Sequence, residues 1–173
     1  MFIAVAKQIN KSPEDKRDVV EFEGKMQRMG FVDYVDDLPP EQQKCLAESP
    51  IQNFIPWLVA KSDNSVTTPT RMVFNGSKEF KGKRSINSLL AKGVNSMNSI
   101  LDIVLRFLIF PFAFHTDIQK LYNSVLLDFS HWCYQRYWWQ DELDPNKPIV
   151  EKVIKTLIYG MRSSGNQSKR AVR

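Results

Sequence analysis

With 173 residues, of which 43% are hydrophobic, the chain is long enough to bury one core, which predicts a single domain or part of one. Its 24 Lys and Arg against 19 Asp and Glu give a net charge of +5, which is compatible with nucleic acid but too small to establish it. Cys45 and Cys133 lie far apart and no secretory leader is recognisable, so we expect reduced thiols in an intracellular protein of the cytoplasm or nucleus. Residues 1–6 are too few, and residues 100–114 too interrupted by charge and proline, to span a membrane.

The N-terminal part is predicted to be helical. Ser12 followed by Pro13 is typical of a helix start, and Gly30 is typical of its end. Residues 30–37 are predicted to form a short strand or connection, and a second helix is predicted over residues 41–47.

Two β-rich runs, residues 54–60 and 70–74, flank a polar stretch with the turn signal Asp63-Asn64-Ser65, which predicts a hairpin. Arg71 and Lys61 would then face a triphosphate, Arg71 with its planar guanidinium group and Lys61 as a point charge. A solvated charge on a hairpin is the alternative, and for Lys61 it is the favoured one.

The second half is predicted to alternate between helices and strands. Helices are expected over residues 85–91 and 96–108, and Pro111 separates the second from an apolar run. Strands are expected at residues 112–114, 124–127, 132–138 and 153–159. The predicted fold class is therefore α+β, with helices packed on a mostly antiparallel sheet.

Asp117 follows this apolar run, in the segment PFAFHTDIQKLY, and is the first candidate for chemistry. A strand at 112–114 that was buried on both sides would hold the carboxylate at its end, where magnesium can be bound by a few carboxylates together with substrate phosphates. A helix cap for a helix beginning at Ile118 is the alternative for the same residue.

Three blocks of the sequence resemble the reverse transcriptase of Bel/Pao-type retrotransposons, and the resemblance runs from about Asp18 to the C-terminus. The first block contains Pro56-Trp57 and TPTRMVFN at 68–75, the second is HTDIQKLYNSV at 115–125, and the third is LIYGMRSSGNQ at 157–167. The order and spacing of the blocks match the family. The resemblance implies a partial right-hand polymerase fold. Residues 1–50 would form a helical segment leading into the fingers, and residues 51–173 the fingers and first half of the palm, with palm elements at about 110–123 and 159–173.

The resemblance also implies a two-metal nucleotidyl transferase that uses RNA or DNA primer-template, dNTP and Mg²⁺. Asp117 and the carbonyl of Ile118 would bind the metals, and Tyr122 would exclude a 2′-hydroxyl. Arg71, Lys61, Ile118, Tyr122 and Gly160 would contact the nucleotide; Ser164, Gln167 and Arg170 would contact the template. Without the resemblance, the sequence predicts that Tyr122 is a core aromatic residue. It then also predicts that the third block is an ordinary strand-to-helix turn with a serine cap.

The chain departs from the family in two ways. Asn75-Gly76-Ser77 stands where the family usually has Asp-Ala-Ser, and the second carboxylate pair expected downstream of the third block is missing. Tyr34-Val35-Asp36-Asp37 is not that pair, since it lies far upstream and is followed by prolines rather than by a return strand. We therefore expect a truncated fragment, inactive alone, whose missing palm and thumb segments lie downstream or in another chain. A non-catalytic nucleic-acid-binding or interaction module is the alternative.

Overall fold

The computed structural model describes residues 2–49, 54–61, 70–79, 82, 84–94 and 98–172. The predicted turn at 63–65, and Thr68 and Pro69 of the first block, lie outside the described residues. The helices are α1 (Phe2–Ile9), α2 (Pro13–Arg28), α3 (Pro40–Glu48), α4 (Ile86–Leu89), α5 (Ile100–Ile109) and α6 (Ser164–Ala171). The strands are β1 (Val32–Tyr34), β2 (Trp57–Lys61), β3 (Thr70–Phe74), β4 (Arg136–Gln140) and β5 (Ile149–Ile154). Short 3-10 segments cover Val35–Asp37, Tyr122–Ser124, Phe129–Tyr134 and Asp141–Leu143.

The strands form two small antiparallel sheets, so the α+β class is confirmed. One sheet has the order β1-β5-β4, with Val32 opposite Ile154 and Tyr137 opposite Lys152. The other is the β2-β3 hairpin that the sequence predicted. Because β1 pairs with β5, the N-terminal residues share a sheet with the C-terminal part of the chain.

Helix α2 begins and ends where the local signals predict. The Ser12 hydroxyl accepts a hydrogen bond from the Asp15 N–H at 3.3 Å, and Pro13 is the first helical residue. Gly30, at φ +72°, follows the helix C-terminus and turns the chain toward β1. Helix α3 also matches its prediction, with Pro40 at its start.

The main core lies between α2, the hairpin and the inner face of the three-stranded sheet, with Val19, Trp57, Phe74 and Trp139 among its buried residues. Aromatic rings pack at this centre: those of Trp57 and Trp139 lie 5.7 Å apart. The burial of these large apolar side chains contributes most of the favourable free energy with which the two sheets pack together.

A buried polar network crosses this core. Lys152, fully buried on β5, donates to Glu23 Oε1 at 2.6 Å and to Gln27 Oε1 at 3.0 Å on α2. The Tyr137 hydroxyl donates to the same Glu23 oxygen at 3.1 Å, and burial next to that carboxylate raises the pKa of Tyr137 well above its usual value. The Lys152 ammonium also lies 3.9 Å from the centre of the Tyr34 ring. The charge is thus matched by a carboxylate and an aromatic face.

The predicted strand at 112–114 is wrong. Phe112 and Phe114 are 90% and 91% exposed and carry no regular secondary structure. A strand needs a neighbour to pair with its N–H and C=O groups, and no described strand flanks this segment. All ten residues of the preceding helix α5 are exposed as well, although most are apolar.

Three further strand predictions are corrected. Residues 124–127 contribute a single bridge, Leu126 to Thr156, and residues 132–134 belong to a 3-10 segment, so β4 begins only at Arg136. The last strand covers Ile149–Ile154 and not residues 153–159. Among the helices of the described chain, none has both the length and the apolar character needed to cross a bilayer.

Candidate nucleic-acid and nucleotide interface

The hairpin places its two candidate cations on opposite faces. In its register Ala60 is opposite Arg71 and Lys61 is opposite Thr70, and side chains alternate between faces along each strand. Arg71 is therefore on the exposed face together with Leu58. Lys61 shares a face with residues that pack toward α2.

Lys61 is engaged with α2 at this position. Its ammonium forms an ion pair with Asp15, and the hydrogen bond to that carboxylate raises the pKa of Lys61. The neighbouring Thr70 hydroxyl donates to Asp18 at 3.0 Å. Of the two cations, Arg71 is thus the one on the open face of the hairpin.

The end of the hairpin meets the turn of the third block. Gly160, at φ +95°, lies so close to the hairpin that a Cβ at this position would be 2.0 Å from the Phe74 carbonyl oxygen. A Cβ on Gly76 would in turn be 2.8 Å from the Gly160 carbonyl oxygen. Glycine permits both the backbone conformation and the close approach. We call residues 74–77, Asn87 and residues 159–165 the junction.

Asn87 holds the junction together and was not singled out by the sequence analysis. Its Nδ2 donates to the Gly160 carbonyl at 2.8 Å and to Ser77 Oγ at 2.9 Å. Its Oδ1 accepts from the Arg162 N–H at 2.7 Å, and its own N–H donates to the Gly76 carbonyl at 2.9 Å. Asn87 lies in the short sequence INSL, and nothing in that sequence indicates its partners, which lie 73 and 75 residues away.

Tyr122 lies beside the junction. Its ring centre is 4.5 Å from that of Tyr159, and its hydroxyl is 3.5 Å from the position that a Cβ on Gly165 would take. Tyr159 is 64% exposed and Tyr122 is half-buried, so the pair presents an aromatic surface to solvent. The next residue, Asn123, donates to the Thr156 hydroxyl at 3.4 Å, which connects the second block to the chain after β5.

Helix α6 starts at Ser164, where the third block predicts a helix. Ser164 is 2% exposed, and its Oγ has no hydrogen-bond partner, so this hydroxyl lies inside the protein. Gln167 and Arg170 are exposed and three residues apart, which places them on one side of α6. These two are the template candidates whose side chains are accessible.

The local structure around Asp117 and Ile118 differs from that of the junction. Both are exposed, in a segment without regular secondary structure that precedes the turn at Lys120. Across the described residues, no group of three or more His, Cys, Asp or Glu side chains is arranged to hold a metal ion. One carboxylate does not make a two-metal site, so the described donors do not fit the magnesium pair, and we derive no step through it.

The structure therefore joins the first and third blocks directly, and adds Tyr122 of the second block through its contact with Tyr159. No protein-family model matches the chain, and no curated protein is significantly similar to it.

Proposed function

We propose that this chain is a fingers and partial-palm region of a reverse transcriptase-like protein, and that it binds nucleic acid over the junction, the Tyr122 and Tyr159 pair and α6. The observation that carries the proposal is the meeting of three blocks that are widely separated in sequence. Gly160 touches Phe74 of the first block, and the Tyr159 ring packs at a tilt against the Tyr122 ring of the second. These blocks are the ones on which the resemblance rests.

The chemistry of this surface supports binding of a nucleic-acid strand. Exposed aromatic rings stack on any base, and the Tyr122 and Tyr159 pair offers such a surface. Arg162 in the turn and Arg170 on α6 are exposed cations that suit phosphates. In the proposed protein, Arg71 on the open hairpin face contacts the nucleotide.

We do not propose that this chain polymerises DNA by itself. In the intact enzyme that the resemblance implies, Asp117 and the Ile118 carbonyl would contribute ligands to Mg²⁺. We expect no primer extension by the 173-residue chain. Extension that requires magnesium and disappears in Asp117→Asn would overturn this expectation.

A non-catalytic binding module is the second candidate, and the exposed, irregular setting of Asp117 favours it. The two candidates differ in one measurable respect. If Asp117 contributes to a metal-dependent nucleotide site, Asp117→Asn weakens the magnesium-dependent binding of a dNTP by the chain with primer-template. In a module that only binds nucleic acid, Asp117→Asn leaves all binding unchanged.

Fluorescence anisotropy with a labelled RNA template and DNA primer tests the proposed binding. Arg170→Gln should weaken binding and reduce the slope of log K against log salt concentration by about 1, because one phosphate contact is lost. The matched control is Lys44→Gln, which removes one exposed positive charge from α3. Equal effects of the two substitutions would show that only net charge matters, and would contradict the proposed surface.

A further inference from the structure

The two cysteines of the chain, far apart in sequence, line one cleft. The cleft has a volume of about 470 Å³ and lies between α3 and the 3-10 segment Phe129–Tyr134. We call it the thiol cleft. Its α3 wall includes Cys45 with Glu41 and Glu48, and its other wall includes Cys133. The spacing of three and four residues puts Cys45 and both glutamates on the same side of α3.

The two thiols differ in access. Cys45 is half-buried and lines the cleft. Cys133 is 4% exposed, and its Sγ lies 3.5 Å from the Ser130 carbonyl, to which it donates a hydrogen bond. A small oxidant therefore meets Cys45 first, and Cys133 reacts only with a group already held in the cleft.

The walls of the cleft are fixed against each other by a small apolar core. Leu46, the residue after Cys45, is buried in the same cluster as Trp132 and Cys133. Leu38 and, from β5, Val153 belong to the same cluster. The two elements that carry the cysteines are thus packed against each other beside the cleft that both cysteines line.

We propose that the thiol cleft is a modification site in which Cys45 and Cys133 form an intramolecular disulfide when the chain meets a small-molecule disulfide. The Cys45 thiolate attacks one sulfur of oxidised glutathione, the glutathione S–S bond breaks, and one glutathione leaves as the thiol. The Cys133 thiolate then attacks the Cys45 sulfur of the mixed disulfide and releases the second glutathione. The two protein thiols lose two protons and two electrons, and one oxidised glutathione becomes two reduced molecules.

The bridge connects α3 to the segment that leads into β4. Because it closes a long loop, it restricts the unfolded chain and raises the melting temperature of the oxidised form. The inference does not depend on nucleic-acid binding, since none of the junction residues lines the cleft.

Intact mass and peptide mapping after treatment of the folded chain with oxidised glutathione test the proposal. The expected product has lost two hydrogens and yields one cross-linked peptide pair that contains Cys45 and Cys133. Its melting temperature should exceed that of the reduced chain, and dithiothreitol should reverse both changes. A final product that keeps glutathione on Cys45, or a disulfide between two chains, would overturn the proposal.

Two conservative variants test the order of the steps. Cys133→Ser should stop at a stable glutathione adduct on Cys45, because no second thiol displaces the adduct. Cys45→Ser should stay unmodified while folded, since Cys133 is buried, and should react after denaturation in urea. Modification of Cys133 in folded Cys45→Ser as fast as that of Cys45 in Cys133→Ser would contradict the order of attack.

Discussion

At the level of single residues, the ion pair between Lys152 and Glu23 connects α2 to the three-stranded sheet. Both are almost completely removed from water, and their ion pair spans two elements that meet only in the folded chain. Gln27 and Tyr137 supply the remaining hydrogen bonds. A buried charge without its partner is costly, so each member of the network needs the others.

Replacing Lys152 by Met should reduce the free energy of unfolding by about 3–5 kcal/mol, because it leaves the Glu23 carboxylate buried without a counter-charge. The measurement is equilibrium unfolding in urea. Lys44→Met is the control, since its ion pair with Glu48 is exposed, and it should cost no more than about 1 kcal/mol.

The double variant Glu23→Leu and Lys152→Met separates charge from packing. It should recover much of the stability lost in Lys152→Met, because no buried charge remains unpaired. If the double variant is as unstable as the single one, the loss reflects packing around Lys152, and the ion pair does not explain it.

At the level of elements, the junction determines how the hairpin meets α6. The turn before α6 approaches the hairpin backbone so closely that only glycine fits at position 160. Asn87 of α4 forms hydrogen bonds both with Ser77 after the hairpin and with Gly160 and Arg162 in the turn. The proposed binding surface depends on this contact, because Tyr159 precedes the glycine.

Gly160→Ala should destabilise the chain by more than the roughly 1–2 kcal/mol that a left-handed backbone costs an L-residue, because its Cβ would also collide with the Phe74 carbonyl. Gly30→Ala is the matched control. Gly30 has a similar positive φ, but no atom lies within 4 Å of the position of its Cβ, so it reports the backbone cost alone. Equal losses in urea unfolding would show that the close contact adds nothing.

The elements that the sequence predicts correctly are those with local signals. Ser12-Pro13 and Gly30 bound α2 by capping and turn chemistry, and the hairpin is indicated by two β-rich runs. Alternation along β4 places Trp138, at 39% exposure, and Trp139, at 2%, on opposite faces, as the period of a strand requires. These features depend on residues close in sequence.

The elements that the sequence predicts wrongly depend on distant partners. An apolar run such as 112–114 is compatible with a buried strand and with an exposed chain. Only the presence of neighbouring strands decides between the two. The opposite faces of Lys61 and Arg71 follow from the register of β2 with β3, in which Lys61 is opposite Thr70 and Arg71 is opposite Ala60. Asn87 was missed because its partners come from other elements.

At the scale of the whole molecule, the described chain has a compact core beside an uncovered apolar segment. Ile100, Leu108, Phe112 and Phe114 are each at least 76% exposed, and they follow one another along residues 100–114. A contiguous apolar surface of this kind is typical of a contact with another surface. Asp117 comes directly after this segment and is itself exposed.

The central claim is that the junction and the neighbouring tyrosines bind nucleic acid as one surface. Photo-crosslinking of the chain to a primer-template with 4-thiouracil in the template, followed by peptide mapping, tests it most directly. The account predicts adducts on Tyr122 or Tyr159 and in residues 157–167, which Gly160→Ala reduces. Adducts that avoid this region and fall on Trp138, the exposed tryptophan of β4, would contradict it.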